Sequence, residues 1–166
     1  LDRAGSEGVG AAILGAMEAT RRVTAANTNL GLVLLLAPLA AVPAGQRLSE
    51  GIAGVLDELT ADDASLVFRA IRLTQPGGLG EVDQMDVNEA PPQDLLEAMQ
   101  RARNRDMIAR QYSDGFQDLL GCCLPWLIEE LATQQPMAES IVRLQLRIMA
   151  EYPDSLIAPK CGPEIS

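Results

Sequence analysis

The sequence predicts an all-α fold: a single compact bundle of about six or seven helices, broken by one long loop rich in Gly, Pro and Asp. Three observations carry this. Apolar residues recur three and four apart over most of the chain, and no segment alternates apolar and polar as a half-buried strand does. Only 3% of residues are aromatic, so the core falls to aliphatic residues and Met, which suits helix packing better than a β-sandwich. With 166 residues and no composition shift, residues 1–166 read as one domain.

The first helix is "GVGAAILGAMEATRRV", where Val9, Ile13 and Met17 are four apart. "NLGLVLLLAPLAAV" follows, apolar on every helical face, and is expected at the centre of the bundle. "LSEGIAGVLDEL" sets Leu48, Ile52, Val55 and Leu59 on one side. "DDASLVFRAIRLT" opens with Asp62 and Asp63, which suit a helix start. The period then stops for about twenty residues, "TQPGGLGEVDQMDVNEAPPQ", and irregular stretches of that length inside a domain are commonly functional. Helix resumes at Asp94 and runs on through Asp106, with a kink or break expected near Pro125. "MAESIVRLQLRIMAEY" is the last helix, ended by Pro153.

Charge and residue types exclude several classes of function. The net charge of -10 argues against a nucleic-acid partner, because phosphate attraction needs a basic surface. The chain has no histidine, which removes Ser-His-Asp and Cys-His catalysis. Cys122, Cys123 and Cys161 have no zinc-knuckle spacing and an odd count, so neither a zinc site nor a disulfide framework is expected. Acid–base chemistry is left to carboxylates, Lys160 and tyrosines. The longest apolar run, Leu30 to Val42, is too short for a bilayer span of ~20 residues. No membrane association and a cytoplasmic location are therefore expected.

Three groups of polar residues stand out. Asn27, Thr28 and Asn29 sit at the mouth of the aliphatic run. One asparagine can be a helix cap. If helix instead continues through them, Thr20, Thr24, Asn27 and Gly31 share a face. Asp106 falls inside the apolar stripe Leu95, Met99, Ala102, Ala109, Ser113, Phe116 of a continuous helix, with Arg103 and Arg110 in reach. It is either paired there, or placed in a first turn by a break at Asn104. The loop holds Gly78 among three glycines, followed by Asp83 and Asp86, a candidate Mg²⁺ site without the spacing of a P-loop or EF-hand.

"NTNLGLVLLLAPLA", "FRAIRLTQPGGLGEVDQMDV", "RNRDMIARQYSDGF" and "YPDSLIAPKCG" resemble consecutive blocks of the triphosphoribosyl-dephospho-CoA synthase family, from about Gly5 to Gly162. The resemblance implies an all-α transferase that moves the triphosphoribosyl group of ATP onto 3′-dephospho-CoA with release of adenine. It implies Mg²⁺ with ATP as substrate, and a homo-oligomer is compatible with it. The chemistry it implies fits the polar residues singled out above: Asp106 and Asp86 are the candidates for catalysis, Asp83, Asp86 and Asp106 for metal, with Asp106 open to either role, and Asn27, Thr28, Asn29, Gly78, Arg103, Arg110 and Lys160 for substrate. The chain departs from the family in two places. It lacks an amino-terminal block with a Lys-Pro-Gly element and is expected to be truncated there. It also has "NTN" where better characterised synthases carry "NTHKG". Ribosyl transfer in another pathway, such as pterin cofactor synthesis, and a non-catalytic helical binding module are the alternatives.

Overall fold

The computed structural model describes residues 4–24, 29–74 and 93–152. Among them there are α-helices, one π-helical turn and no strand. The helices are α1 (Ala4–Glu7), α2 (Val9–Val23), α3 (Leu30–Ala41), α4 (Leu48–Asp57), α5 (Ala61–Thr74), α6 (Leu95–Ala102), α7 (Met107–Ser113), α8 (Leu124–Ala132) and α9 (Met137–Glu151). The all-α expectation holds. There are more helices than expected, because α1 is separate and the predicted helix from Asp94 onward is divided.

The core is aliphatic, as the composition requires, with Ile13, Met17, Leu34, Ile52, Val67 and Leu95 at its centre. Its tightest packing joins α2 to α5. A Cβ on Gly10 would lie 2.6 Å from the Cα of Asp63, so only glycine lets the two backbones approach this closely. The Gly10 N–H donates to Asp63 Oδ1 at 2.8 Å. Asp63 Oδ2 accepts from both the N–H and the hydroxyl of Thr60, while the Asp63 N–H donates back to Thr60 Oγ1. That reciprocal arrangement is a capping box at the start of α5. Burial pushes the Asp63 pKa up, but the bonds from Gly10 and Thr60 outweigh it and hold the pKa below the usual carboxylate value.

α3 corrects an expectation. It buries Leu30, Val33, Leu34, Ala37 and Pro38 and exposes Leu32 and Leu36. Those five positions follow the i, i+3, i+4 rhythm of a helix covered on one side. The uniform apolarity of the run concealed which side that is.

α6 and α7 are separate helices: of the two placements open to Asp106, the structure takes the helix start after a break around Asn104, and helix does not run on through it. Residues 103–105 form a turn in which the N–H groups of Arg105 and Asp106 both reach the Ala102 carbonyl. The physical reason is Asp106 itself. Its Oδ1 accepts from the N–H groups of Ile108 at 2.7 Å and Ala109 at 2.9 Å, so a new helix starts there.

α7 ends in two successive left-handed residues, Gly115 (φ 62) and Phe116 (φ 60). Positive φ on a bulky side chain is strained. It is held because Phe116 is completely buried with its ring against Tyr112, 5.6 Å between centroids. A π-helical turn, Asp118–Cys123, then leads directly into α8. The Leu124 N–H bonds the Leu119 carbonyl five residues back, and Pro125 follows at the first turn of α8. The irregularity expected near Pro125 is thus a widened turn just before it. α8 and α9 form a hairpin closed by Ser140, fully buried, whose hydroxyl bonds the Glu130 carbonyl. Among the described residues, no helix is long and apolar enough to cross a membrane.

Candidate functional site

The opening turns of α3 and α7 meet. A Cβ on Gly31 would fall 2.9 Å from Cδ1 of Ile108, so glycine at the start of α3 leaves the space that Ile108 fills. About one turn further on, the Tyr112 hydroxyl donates to the Leu34 carbonyl at 2.7 Å. Pairing 31 with 108 and 34 with 112 means that the helices run side by side in the same direction. Their N-termini therefore lie at the same end, with Asn29 before one and Asp106 before the other.

Asn29 occupies the N-cap position of α3, yet its side chain makes no capping bond. Instead its Nδ2 donates to Thr20 Oγ1 at 3.0 Å, and the Thr20 hydroxyl donates to the Ala16 carbonyl. Helix does not run through this junction: α2 stops at Val23, and Thr24 is extended. Fixing Nδ2 on Thr20 fixes the opposite edge of the amide. Asn29 Oδ1 is buried and has no hydrogen-bond donor among the described residues. A buried acceptor without a donor costs ~1–3 kcal/mol.

Asp106 is the cap of α7, which resolves its place in the fold. It is not an unpaired charge in an apolar stripe, and neither arginine pairs with it. Arg103 Nη2 instead lies 3.0 Å from Asp114 Oδ1. Arg110 Nε lies 2.9 Å from Asp118 Oδ2 and 3.7 Å from Asp114. The expected orientation of Asp106 by Arg103 or Arg110 is therefore corrected. The reason is that Asp106 spends its carboxylate on capping α7, while Asp114 and Asp118 lie closer to the two guanidinium groups and take them.

Asp118 is the hub of this second group. Its side chain is 15% exposed. It accepts from Arg110, from Gln111 Nε2 at 3.0 Å and from the Tyr152 hydroxyl at 3.2 Å. Burial, Asp118 and Cys122 together push the Tyr152 phenol up to about 12.

Of the predicted site residues, the structure places Asn29 and Asp106 at the same end of the α3/α7 pair, with Arg110 one turn along α7 from Asp106. Arg103 is joined to Arg110 through Asp114. Asn27, Thr28, Gly78, Asp83, Asp86 and Lys160 lie outside the described residues. Sequence reasoning did not single out Tyr112, Asp114 or Asp118. Pro38 inside a helix was a usable signal for Tyr112, because it leaves the Leu34 carbonyl without its usual N–H partner.

Over residues 1–166 the sequence matches the family CitG: ATP:dephospho-CoA triphosphoribosyl transferase. The chain belongs to this family. CitG-family proteins are transferases that move the triphosphoribosyl group of ATP onto dephospho-CoA. The fold agrees. A crystal structure from Archaeoglobus fulgidus, assigned as a triphosphoribosyl-dephospho-CoA synthase, superposes with a TM-score of 0.70 at 23% identity. The match covers 98% of the present CitG-family chain and 71% of that one. At this identity the likeness establishes the fold. No curated protein matches the chain.

Proposed function

We propose that the paired mouth of α3 and α7 is where the family's transfer takes place, with Asn29 and Asp106 at the substrate. The observation that carries this is the buried Asn29 Oδ1, left without a donor while its amide nitrogen is tied to Thr20. A substrate hydroxyl supplies the missing donor, and an amide accepts it without adding charge. The cost of leaving that acceptor unfilled makes ligand binding favourable there.

The reaction joins an acceptor hydroxyl to the anomeric carbon of the ATP ribose as adenine leaves. Charge builds on the ribose, and the attacking hydroxyl must lose a proton. Asp106 supplies a carboxylate next to the mouth. Two backbone N–H groups fix it through Oδ1, so it is already oriented before substrate arrives. The chain has no histidine to compete for the role of base.

Among the described residues there is no group of three or more metal-binding side chains. A magnesium ion bound with a nucleotide needs only one or two protein carboxylates, because phosphates and water complete its shell. Asp106 fits that requirement, and Asp83 and Asp86 are the further candidates. Bound there, the ion would neutralise triphosphate charge in an acidic protein. Arg103 and Arg110 are already balanced by Asp114 and Asp118. We assign them to shaping the far wall of the site rather than to supplying bare positive charge.

The experiment is adenine release from ATP, followed by chromatography, with and without dephospho-CoA and Mg²⁺. The proposal expects release that requires all three. Release that ignores dephospho-CoA, or no release at all, contradicts it.

A further inference from the structure

Five aromatic residues serve the whole chain. Phe68, Tyr112 and Phe116 are buried in the core. The other two, Trp126 on α8 and Tyr152 at the end of α9, are only half-buried and lie together, with ring centroids 6.5 Å apart at 43°. Each carries an arginine. The guanidinium carbon of Arg147 is 4.3 Å from the Trp126 centroid, and that of Arg110 is 5.6 Å from the Tyr152 centroid. Arg147, Trp126, Tyr152 and Arg110 follow one another as a row of four planar groups leading from the α8–α9 hairpin to α7.

We propose that this row is a base-stacking shelf for the adenine of a nucleotide substrate. Planar guanidinium and aromatic groups both stack on bases. Aromatic stacking platforms bind bases without needing hydrogen-bond readout. The charges are locally balanced: Arg147 is 2.9 Å from Glu129, and Arg110 is 2.9 Å from Asp118. The row therefore offers ring and guanidinium faces rather than net positive charge, and favours a base over free phosphate. It is also held in place. Asp118 takes the Tyr152 hydroxyl and Arg110 together, and the phenol stays protonated as a donor. Arg110 lies one helical turn from Asp106, so the row begins beside the proposed reaction site. Two adenines are available there, from ATP and from dephospho-CoA. The inference rests on the reading that this chain handles both.

Trp126 is the single tryptophan, so its emission reports the shelf directly. The full chain is titrated separately with Mg-ATP, dephospho-CoA and inorganic tripolyphosphate. Saturable quenching by at least one nucleotide, and none by tripolyphosphate, is expected. The nucleotide that quenches identifies the source of the adenine. Trp126→Leu should weaken that nucleotide about tenfold in calorimetric titration, and Arg147→Gln should weaken it severalfold. Quenching by neither nucleotide, equal quenching by tripolyphosphate, or affinities within twofold of wild type in both variants would overturn the proposal. Binding is read without turnover. A protein that quenches but releases no adenine contradicts the proposed reaction and leaves the shelf standing.

Discussion

The Tyr112 hydroxyl donates to the Leu34 carbonyl because Pro38 cannot. In an uninterrupted helix the N–H of residue 38 would bond the carbonyl of residue 34. Proline removes that donor, and the phenol of a neighbouring helix replaces it. Burial pushes the Tyr112 pKa well above its ordinary value, so the hydroxyl remains a donor throughout the physiological range. The same bond that repairs α3 also holds α3 against α7, and with it the two helix starts that carry Asn29 and Asp106.

Tyr112→Phe leaves the Leu34 carbonyl buried and unbonded, and should cost ~1–3 kcal/mol in denaturant unfolding. Pro38→Ala returns an N–H to position 38. In that background Tyr112→Phe should cost clearly less. Equal costs in both backgrounds would show that the bond does not compensate for the proline.

Gly10 and Gly15 sit in the same helix and should respond in opposite ways to alanine. At Gly10 the new methyl meets the backbone of Asp63 at 2.6 and 2.7 Å, which neither helix can relieve by moving a side chain. A loss of ~1–3 kcal/mol or more is expected, as for other overpacked sites. At Gly15 nothing lies within 4 Å. Alanine there should be neutral or stabilising by ~0.5–1 kcal/mol through helix propensity. Thermal melts of the two variants check both.

Asp63 makes stability depend on acid. Its folded pKa lies below the ordinary aspartate value of 3.8, so the unfolded chain binds the proton more readily. Its contribution is therefore fully present above that value and is lost as pH falls through the folded pKa. The stability gap between wild type and Asp63→Asn should be constant from pH 7 to 5 and shrink below 3.8. A gap that widens on acidification would reverse the sign argued here.

The helical class was legible because three- and four-residue periodicity survives over most of the chain. Its details were not, wherever a polar side chain redirected the backbone. Asp106 starts a new helix by bonding two N–H groups, an outcome that competes with simple helical continuation. Only the folded neighbourhood decides between them. The uniform aliphatic run of α3 could not reveal its exposed Leu32 and Leu36, since periodicity needs contrast. Asn29 was legible as a misplaced polar residue. Its partner Thr20 was legible only as a neighbour of Asn27 on a continuous helix, whereas α2 ends at Val23 and Thr20 meets Asn29 instead. Trp126 and Tyr152 are 26 positions apart, and nothing in their spacing signals that α8 and α9 fold back to join them.

On the proposed reading, Asn29 and Asp106 serve substrate rather than only the helix ends on which they stand. Adenine release, measured beside the melting temperature for Asn29→Ala, Asp106→Asn and Asp106→Ala, separates the two roles. Asparagine at 106 can still accept the Ile108 and Ala109 N–H groups, so Asp106→Asn should melt within a few degrees of wild type. Asp106→Ala should lose ~1 kcal/mol with the cap. Asn29→Ala removes no capping bond and should also melt near wild type. The account predicts that adenine release falls at least a hundredfold in both Asp106 variants, as roughly expected for loss of acid–base assistance, and severalfold or more in Asn29→Ala. Near-normal release by Asp106→Asn and Asn29→Ala would contradict it and leave both residues as structural parts of the junction.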